Sequence, residues 1–215
     1  MKVVEIFESI DGEGIYAGCP ATFIRLFGCN LKCSYCDSRY ACEGDSYQEM
    51  SVEQIVDSAG QLNHKHITLT GGEPLIHKDV TSLIDELAKR DYIVNIETDG
   101  AVGLSPFLRD DVVFTMDYKC PSSDMEGRMI VSNLDLLKEK DVLKFVVGSQ
   151  EDLNRAEQIL SEYNLQGKCN IFFSPVFGKI EPEDIVEFIL LRHLEGVRVQ
   201  LQLHKFIWDP NMKGV

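Results

Sequence analysis

An open, incomplete TIM-like barrel of about six parallel strands is the α/β architecture this sequence predicts. Three observations carry that expectation. Short β-rich runs alternate with helical patterns along the 215 residues. Most of those runs are continuously apolar, as in strands buried on both faces. No Gly-rich dinucleotide fingerprint follows any of them, which disfavours a doubly wound sheet, the alternative architecture. No repeat, low-complexity stretch or Pro/Gly/Ser-rich linker divides the chain, so residues 1–215 read as one domain.

The strands are expected at residues 21–26, 66–70, 92–97, 112–117, 142–147, 170–175 and 197–203. Residues 51–62 open a helix on a capping box, Ser51 followed by Gln54. Residues 79–90 set Val80, Leu83, Ile84 and Leu87 on one helical face. Further helices are expected at 132–140, 151–163 and 182–194. Pro182 suits a first turn and Gly196 a stop. Alternation of this kind builds parallel βα units, and function then gathers at the C-terminal ends of the strands.

The formal net charge of -14 makes the surface repel phosphate backbones, so no nucleic-acid partner is expected. The first residues, Met1-Lys2-Val3-Val4-Glu5, carry no signal-peptide pattern, and no apolar run approaches the roughly 18 residues of a membrane span. A cytoplasmic protein with no membrane partner is the expectation. Seven cysteines, an odd number with no secretion signal, argue against a disulfide framework.

Three of these cysteines cluster in Gly28-Cys29-Asn30-Leu31-Lys32-Cys33-Ser34-Tyr35-Cys36-Asp37-Ser38, directly after the first expected strand. Thiolates suit iron–sulfur clusters or zinc. A cubane cluster normally takes four cysteines, so three leave one iron open to a substrate or cofactor. Structural zinc also needs four ligands. The nearest fourth, Cys42, lies six residues past Cys36, and no C-x2-C pair answers the first. Inert core cysteines do not usually cluster on a Gly- and Asn-containing loop. A second pattern, Thr70-Gly71-Gly72-Glu73-Pro74, ends the next strand. Its glycines let backbone approach a ligand, and its carboxylate is suited to an ammonium group.

The C-x3-C-x-aromatic-C loop, with Tyr35 as the aromatic, resembles the signature of the radical SAM superfamily, and the Gly71-Gly72-Glu73 turn resembles its S-adenosylmethionine (SAM) motif. The resemblance implies a [4Fe–4S] cluster on Cys29, Cys33 and Cys36. It implies reductive cleavage of SAM to a 5′-deoxyadenosyl radical, and Gly72 and Glu73 gripping the methionyl amine. Tyr35, Asp37, Lys119, Ser174 and Pro175, at the loop or at strand ends, are the further SAM-contact candidates. A solvated charge and an ordinary turn are the bland readings of the last three.

The stretches Glu8–Gly14 and Ala21–Leu31, with Gly71–Leu75, Glu97–Gly100, Lys119–Ser123 and Gln202–Lys205, resemble the 7-carboxy-7-deazaguanine synthase family over nearly the whole chain. The resemblance implies ring contraction of 6-carboxy-5,6,7,8-tetrahydropterin with loss of ammonia, a homodimer, and an external electron donor such as flavodoxin or ferredoxin. Glu13 and Glu97 fit the guanidine-like edge of a pterin. Arg25 fits its carboxylate, with a structural acid as the competing partner. Thr70 and backbone at Ile10, Asp11 and Gly12 are further contacts. His204 is expected at the last strand end, orienting substrate or moving a proton unless it is simply a satisfied buried histidine.

The family's Mg²⁺ threonine is Ser38 here, which keeps the hydroxyl. This sequence also has Asp11 where the family often has Gln, Asp99 where it has Asn, and Asp117-Tyr118-Lys119 where it has Ser-Pro-Lys. Beyond His204-Lys205, Trp208 is expected to seal the pocket. The competing functions are a radical SAM activase that makes a glycyl radical in a partner protein, and a non-enzymatic thiolate metal module.

Overall fold

The computed structural model describes residues 1–215. Nine strands form one sheet: β1 (Lys2–Ile10), β2 (Pro20–Leu26), β3 (Gln48–Glu49), β4 (His66–Gly71), β5 (Ile93–Thr98), β6 (Val112–Lys119), β7 (Val142–Val147), β8 (Asn170–Pro175) and β9 (Val197–Val199). Their order is β3-β1-β2-β4-β5-β6-β7-β8-β9, so the sheet stays open, with β3 and β9 at its edges. From β2 to β9 every pairing is parallel, and only β1 and β3 are antiparallel.

All seven expected strands are present. Two further strands are not foreseen from the sequence: β3, only two residues long, and β1, which pairs antiparallel with β2. The register of β1 shifts between Val3 and Glu5, and most of its residues are only half-buried. Both features blur the period-two pattern that marks a strand.

Five helices are α1 (Val52–Gln61), α2 (Val80–Lys89), α3 (Gln150–Glu162), α4 (Pro182–Leu191) and α5 (His204–Ile207). The Ser51 capping box forms in both directions, with Gln54 N to Ser51 Oγ at 3.2 Å and Ser51 N to Gln54 Oε1 at 2.8 Å. The helix expected at 132–140 is instead a short 3-10 turn, Val131–Asp135. Asn133 is the cause. Its buried amide accepts from Leu104 N and donates to the Gly100 and Val102 carbonyls, which fixes this segment to the β5–β6 connection. The last strand, expected to reach residue 203, stops at Val199. Gln200 turns away there to clasp the Gly14 N–H and carbonyl.

The expectation of continuously apolar strands needs one correction. Ile24, Leu26, Ile67, Leu69, Val94, Ile96, Phe114, Met116, Leu143, Phe145, Ile171 and Phe173 belong to one core with Ile55, Leu83, Leu87, Leu153, Ile159 and Ile185 of the helices. Their alternates along the strands include Arg25, Thr68, Thr70, Asn95, Glu97, Thr115, Asp117, Lys119, Lys144 and Ser174. Because side chains alternate at period two, these polar residues share the opposite face. Each core leucine contributes about 2 kcal/mol by leaving water, so the helix-covered face secures the sheet. The other face is left for chemistry.

Candidate active site

A cavity of about 390 Å³ opens on that polar face. Three layers build it. The cysteine loop, residues 28–38, leaves β2 and supplies Cys29, Cys33, Tyr35, Cys36, Asp37 and Ser38. The strands supply Arg25 from β2, Thr70 and Gly71 from β4, Glu97 and Thr98 from β5, Asp117 and Lys119 from β6, and Lys144 and Val146 from β7. The end of β1, the β1–β2 loop and the C-terminal segment complete the wall with Ile10, Gly12, Glu13, Gln202, His204, Lys205, Pro210, Asn211 and Val215.

At the thiol end the chain packs backbone against backbone. A Cβ on Gly72 would lie 2.2 Å from the Gly28 carbonyl oxygen and 2.9 Å from Cys29 Cβ, so only glycine fits. The Glu73 N–H donates to the Gly28 carbonyl at 2.8 Å, tying the β4 turn to the cysteine loop. Cys29 Sγ accepts from Leu31 N at 3.4 Å. Cys42 also lines this end, its Sγ donating to the Ser38 carbonyl at 3.7 Å, and its nearby thiol lowers the Cys29 and Cys36 thiols from their ordinary range. Its contact holds the Cys36 thiol down at about 6 against the opposing effect of burial, with help from the Ser38 backbone. Burial pushes Cys33 the other way, to about 11.

At the opposite end the groups are charged. Glu13 Oε2 is 3.0 Å from Lys144 Nζ, and Glu13 Oε1 accepts from Ser174 Oγ at 3.3 Å. Thr70 Oγ1 donates to Glu97 Oε2 at 2.7 Å, which leaves the hydroxyl oxygen free to accept. Burial and the nearby Glu13 charge raise the Glu97 carboxyl above its ordinary range, against the pull of Lys144, Thr70 and Arg25. Arg25 Nε donates to Glu5 at 2.8 Å, and Tyr40 donates to the same oxygen at 2.7 Å. His204 loses basicity mainly to burial, although Glu13 and Asp37 oppose the change, so the neutral imidazole is favoured. Lys205 Nζ lies 3.4 Å from Asp37, whose other oxygen accepts from Ser38 Oγ at 2.9 Å. Burial by itself would raise the Asp37 carboxyl, but Lys205, Ser38 and His204 together bring it below its ordinary value.

The description "Radical SAM superfamily" belongs to the family model that matches residues 23–191. A 7-carboxy-7-deazaguanine synthase of Clostridium acetobutylicum is 47% identical over 100% of this chain and 99% of its own length. One from Methanospirillum hungatei is 44% identical over 98% and 86%. This chain belongs to the 7-carboxy-7-deazaguanine synthase family of radical SAM enzymes. The crystal structure of QueE from Escherichia coli has the same fold, with a TM-score of 0.77 at 24% identity over 94% of this chain and 93% of that one.

A radical SAM enzyme of this family uses a [4Fe–4S] cluster and SAM. The thiol end fits them. Cys29, Cys33 and Cys36 border one cavity together with Gly71 and Gly72, and an amide already donates to Cys29.

Several expected site residues are placed differently from the sequence reading. Glu73 is fully buried and does not border the cavity. Its oxygens accept from Leu75 N, Thr98 Oγ1 and Asp99 N, so it braces the Gly71-Gly72 turn rather than presenting a free carboxylate. Asp11 is turned inward. Its backbone pairs with Cys19 and Gly18, and its carboxylate accepts from Thr68, so neither reaches the cavity. Ser174 acts through Glu13 and Pro175 is buried behind it, while their neighbours Val176 and Phe177 form the wall. His204 does not end a strand. It begins α5, held against Gly12 by the Leu203 N–H to Gly12 carbonyl bond of 3.1 Å. Pro210, Asn211 and Val215, not Trp208, close that side.

The sequence reading overlooked Lys144, Glu5 and Cys42's position in the site. A lysine inside Val142-Leu143-Lys144-Phe145-Val146-Val147 was the available signal, because an ammonium in an otherwise apolar strand needs buried partners.

Proposed function

We propose that the charged end of the cavity binds 6-carboxy-5,6,7,8-tetrahydropterin and that the thiol end presents SAM to it, for ring contraction to 7-carboxy-7-deazaguanine with loss of ammonia. The observation that carries this reading is the joining of Glu13, Glu97, Thr70 and Arg25 to Cys29, Cys33 and Cys36 in one cavity. The full-length relatives support it by their own names. A cluster held by Cys29, Cys33 and Cys36 would supply the electron that cleaves SAM, and the bound pair would thereby supply hydrogen-atom abstraction from the substrate.

The chain's own residues do the rest. Glu13 accepts from the amine and amide donors of the pterin edge. Glu97, whose raised carboxyl exchanges protons more readily near neutrality than an ordinary one, lies beside Thr70 and serves the ring nitrogens. Arg25 keeps its planar fork toward the substrate carboxylate while Glu5 holds its Nε. Neutral His204 accepts or relays a proton during rearrangement. Backbone at Ile10 and Gly12 borders the substrate. Tyr35, Asp37, Gly72 and Lys119 border SAM, with Tyr35 anchored through its hydroxyl to the Val146 carbonyl at 3.4 Å.

Mg²⁺ is assigned to Ser38, whose hydroxyl and the adjacent Asp37 offer the hard oxygens it prefers. Mg²⁺-dependence of kcat/KM that is lost in Ser38→Ala and kept in Ser38→Thr supports this assignment. An unchanged dependence in Ser38→Ala removes it. Residues 1–215 act as one radical SAM unit, in the cytoplasm, reduced by a flavodoxin or ferredoxin. Val186, Leu190 and Leu191, exposed on α4, offer apolar surface for a homodimer. A monomeric mass in solution would refute the dimer.

The activity test is anaerobic incubation of the reconstituted protein with the carboxypterin, SAM and a reductant. A deazapurine carboxylate and released ammonia are expected. Their absence alongside SAM cleavage would favour the activase reading.

A further inference from the structure

We infer that Lys144 is a positioning residue of the substrate pocket, holding the Glu13 carboxylate in place for the pterin edge through an ion-pair relay that ends on Asp117 and Lys119. This deepens the reading above and rests on it for the identity of the substrate.

Strand alternation sends Leu143, Phe145 and Val147 into the helix-covered core and Lys144 to the cavity face. There its side chain is only 7% exposed. An ammonium so far from water is tolerated only among acids. Lys144 Nζ lies 3.0 Å from Glu13 Oε2 and 3.1 Å from Asp117 Oδ1. Asp117 Oδ2 in turn lies 2.7 Å from Lys119 Nζ. Charges therefore alternate along Glu13, Lys144, Asp117 and Lys119, from the substrate end toward the thiols. The parallel register pairs Asp117 with Lys144, so this arrangement is built into β6 and β7 and not into a mobile loop.

Glu13 needs such an anchor. It sits on the β1–β2 loop, outside any helix or strand, and Lys144 is the one ion pair it makes. The other titratable groups around it are Glu97 from β5, which repels it, and His204 from α5, whose imidazole burial keeps toward neutral. Ser174 adds only a 3.3 Å hydroxyl contact. Lys144 is badly suited to be a proton donor. Burial works against its charge, but Asp117, Glu13 and Glu97 overcome that and hold it protonated. Its contribution is a fixed charge that keeps Glu13 oriented.

The test is steady-state kinetics of Lys144→Met, Lys144→Arg, Glu13→Gln and the Lys144→Met/Glu13→Gln double variant on holoenzyme, with iron content and substrate-free SAM cleavage as controls. Lys144→Met should raise KM for the carboxypterin about tenfold or more while kcat falls less, with iron content unchanged. Lys144→Arg keeps the charge and shifts its position, so KM should rise by only about three- to fivefold. On the Glu13→Gln background, Lys144→Met should add less than about threefold, because residues acting as a unit are not additive. An unchanged KM, or penalties that multiply in full, would overturn the assignment. Should Lys144→Met fail to hold iron, Lys144→Arg decides: a KM equal to that of the unsubstituted enzyme overturns it. An unsubstituted enzyme that turns over no carboxypterin fails the activity reading and this assignment with it. An active one with unaltered variants fails the assignment alone.

Discussion

Gly72 lies against Gly28 so closely that a Cβ on it would sit 2.2 Å from the Gly28 carbonyl oxygen. The contact is backbone to backbone, so no side-chain rotation relieves it. Gly72→Ala must separate the β4 turn from the cysteine loop, breaking the Glu73 N–H to Gly28 bond and displacing Cys29. The expected cost is about 1–3 kcal/mol of stability, together with loss of most reconstituted iron. Denaturant midpoints and iron per chain measure both. Normal iron content at normal stability would contradict the contact.

Asp11 gives the protein a pH-dependent weak point. Burial raises its carboxyl from 3.8 to about 7, with Glu97 adding to the shift and the Thr68 hydrogen bond opposing it. Its Oδ2 has no partner. The unfolded chain titrates near 3.8, so between about pH 4 and pH 7 the folded state holds the extra proton. Stability is therefore greatest at the acidic side of that window and falls as pH rises through it, by about 4 kcal/mol at most. Asp11→Asn removes the buried charge. Its melting temperature should exceed that of the unsubstituted chain at pH 8, and the gap should narrow at pH 5. A gap that is constant with pH would count against the raised carboxyl.

Cys42 borders the thiol end without belonging to the C-x3-C-x2-C loop. If three thiolates hold the cluster, Cys42→Ala should still bind about four irons and four sulfides. Cys29→Ala, Cys33→Ala and Cys36→Ala should each lose them. Cys42 is also the largest influence holding Cys36 down at about 6. In the cluster-free chain, alkylation of Cys36 at pH 7 should therefore slow in Cys42→Ala, because less thiolate is present. Mass spectrometry of labelled peptides reads the rate, and an unchanged rate would remove Cys42 from that role.

What the sequence discloses and what it hides separate along physical lines. The strands β2 and β4 to β8, the α1 capping box and the three-cysteine loop depend on local periodicity, local caps and short spacing, so they are legible from neighbours in the chain. Strand β1 is half-buried and register-shifted, and carries little periodic signal. The 3-10 turn at Val131–Asp135 is set by Asn133 bonds to residues about 30 positions away, which no local window contains. The site shows the same division. Which residues gather was largely readable from strand ends, but which way each carboxylate points was not. Glu73 turns inward because Thr98 and Asp99, at the end of β5, offer donors there. Asp11 turns inward toward Thr68.

Arg25 illustrates how a structural partner and a substrate-binding role coexist. Sequence alone sets them against each other, yet the ion pair with Glu5 uses Nε, while the residue still borders the cavity. The guanidinium carbon also lies 5.8 Å from the Phe7 ring centroid and 5.9 Å from that of Tyr40, which limits its swing. Glu5 thus fixes the plane of the fork, and Tyr40 fixes Glu5. Glu5→Gln weakens a charge-assisted hydrogen bond worth about 1.5 kcal/mol, so kcat/KM for the carboxypterin should fall about tenfold. Arg25→Lys loses both the fork and its stacking, and should fall about a hundredfold or more. A substrate lacking the carboxylate separates the two effects. It should already bind poorly to the unsubstituted enzyme, and neither substitution should weaken it much further. Equal sensitivity of both substrates would mean that Arg25 serves the fold alone.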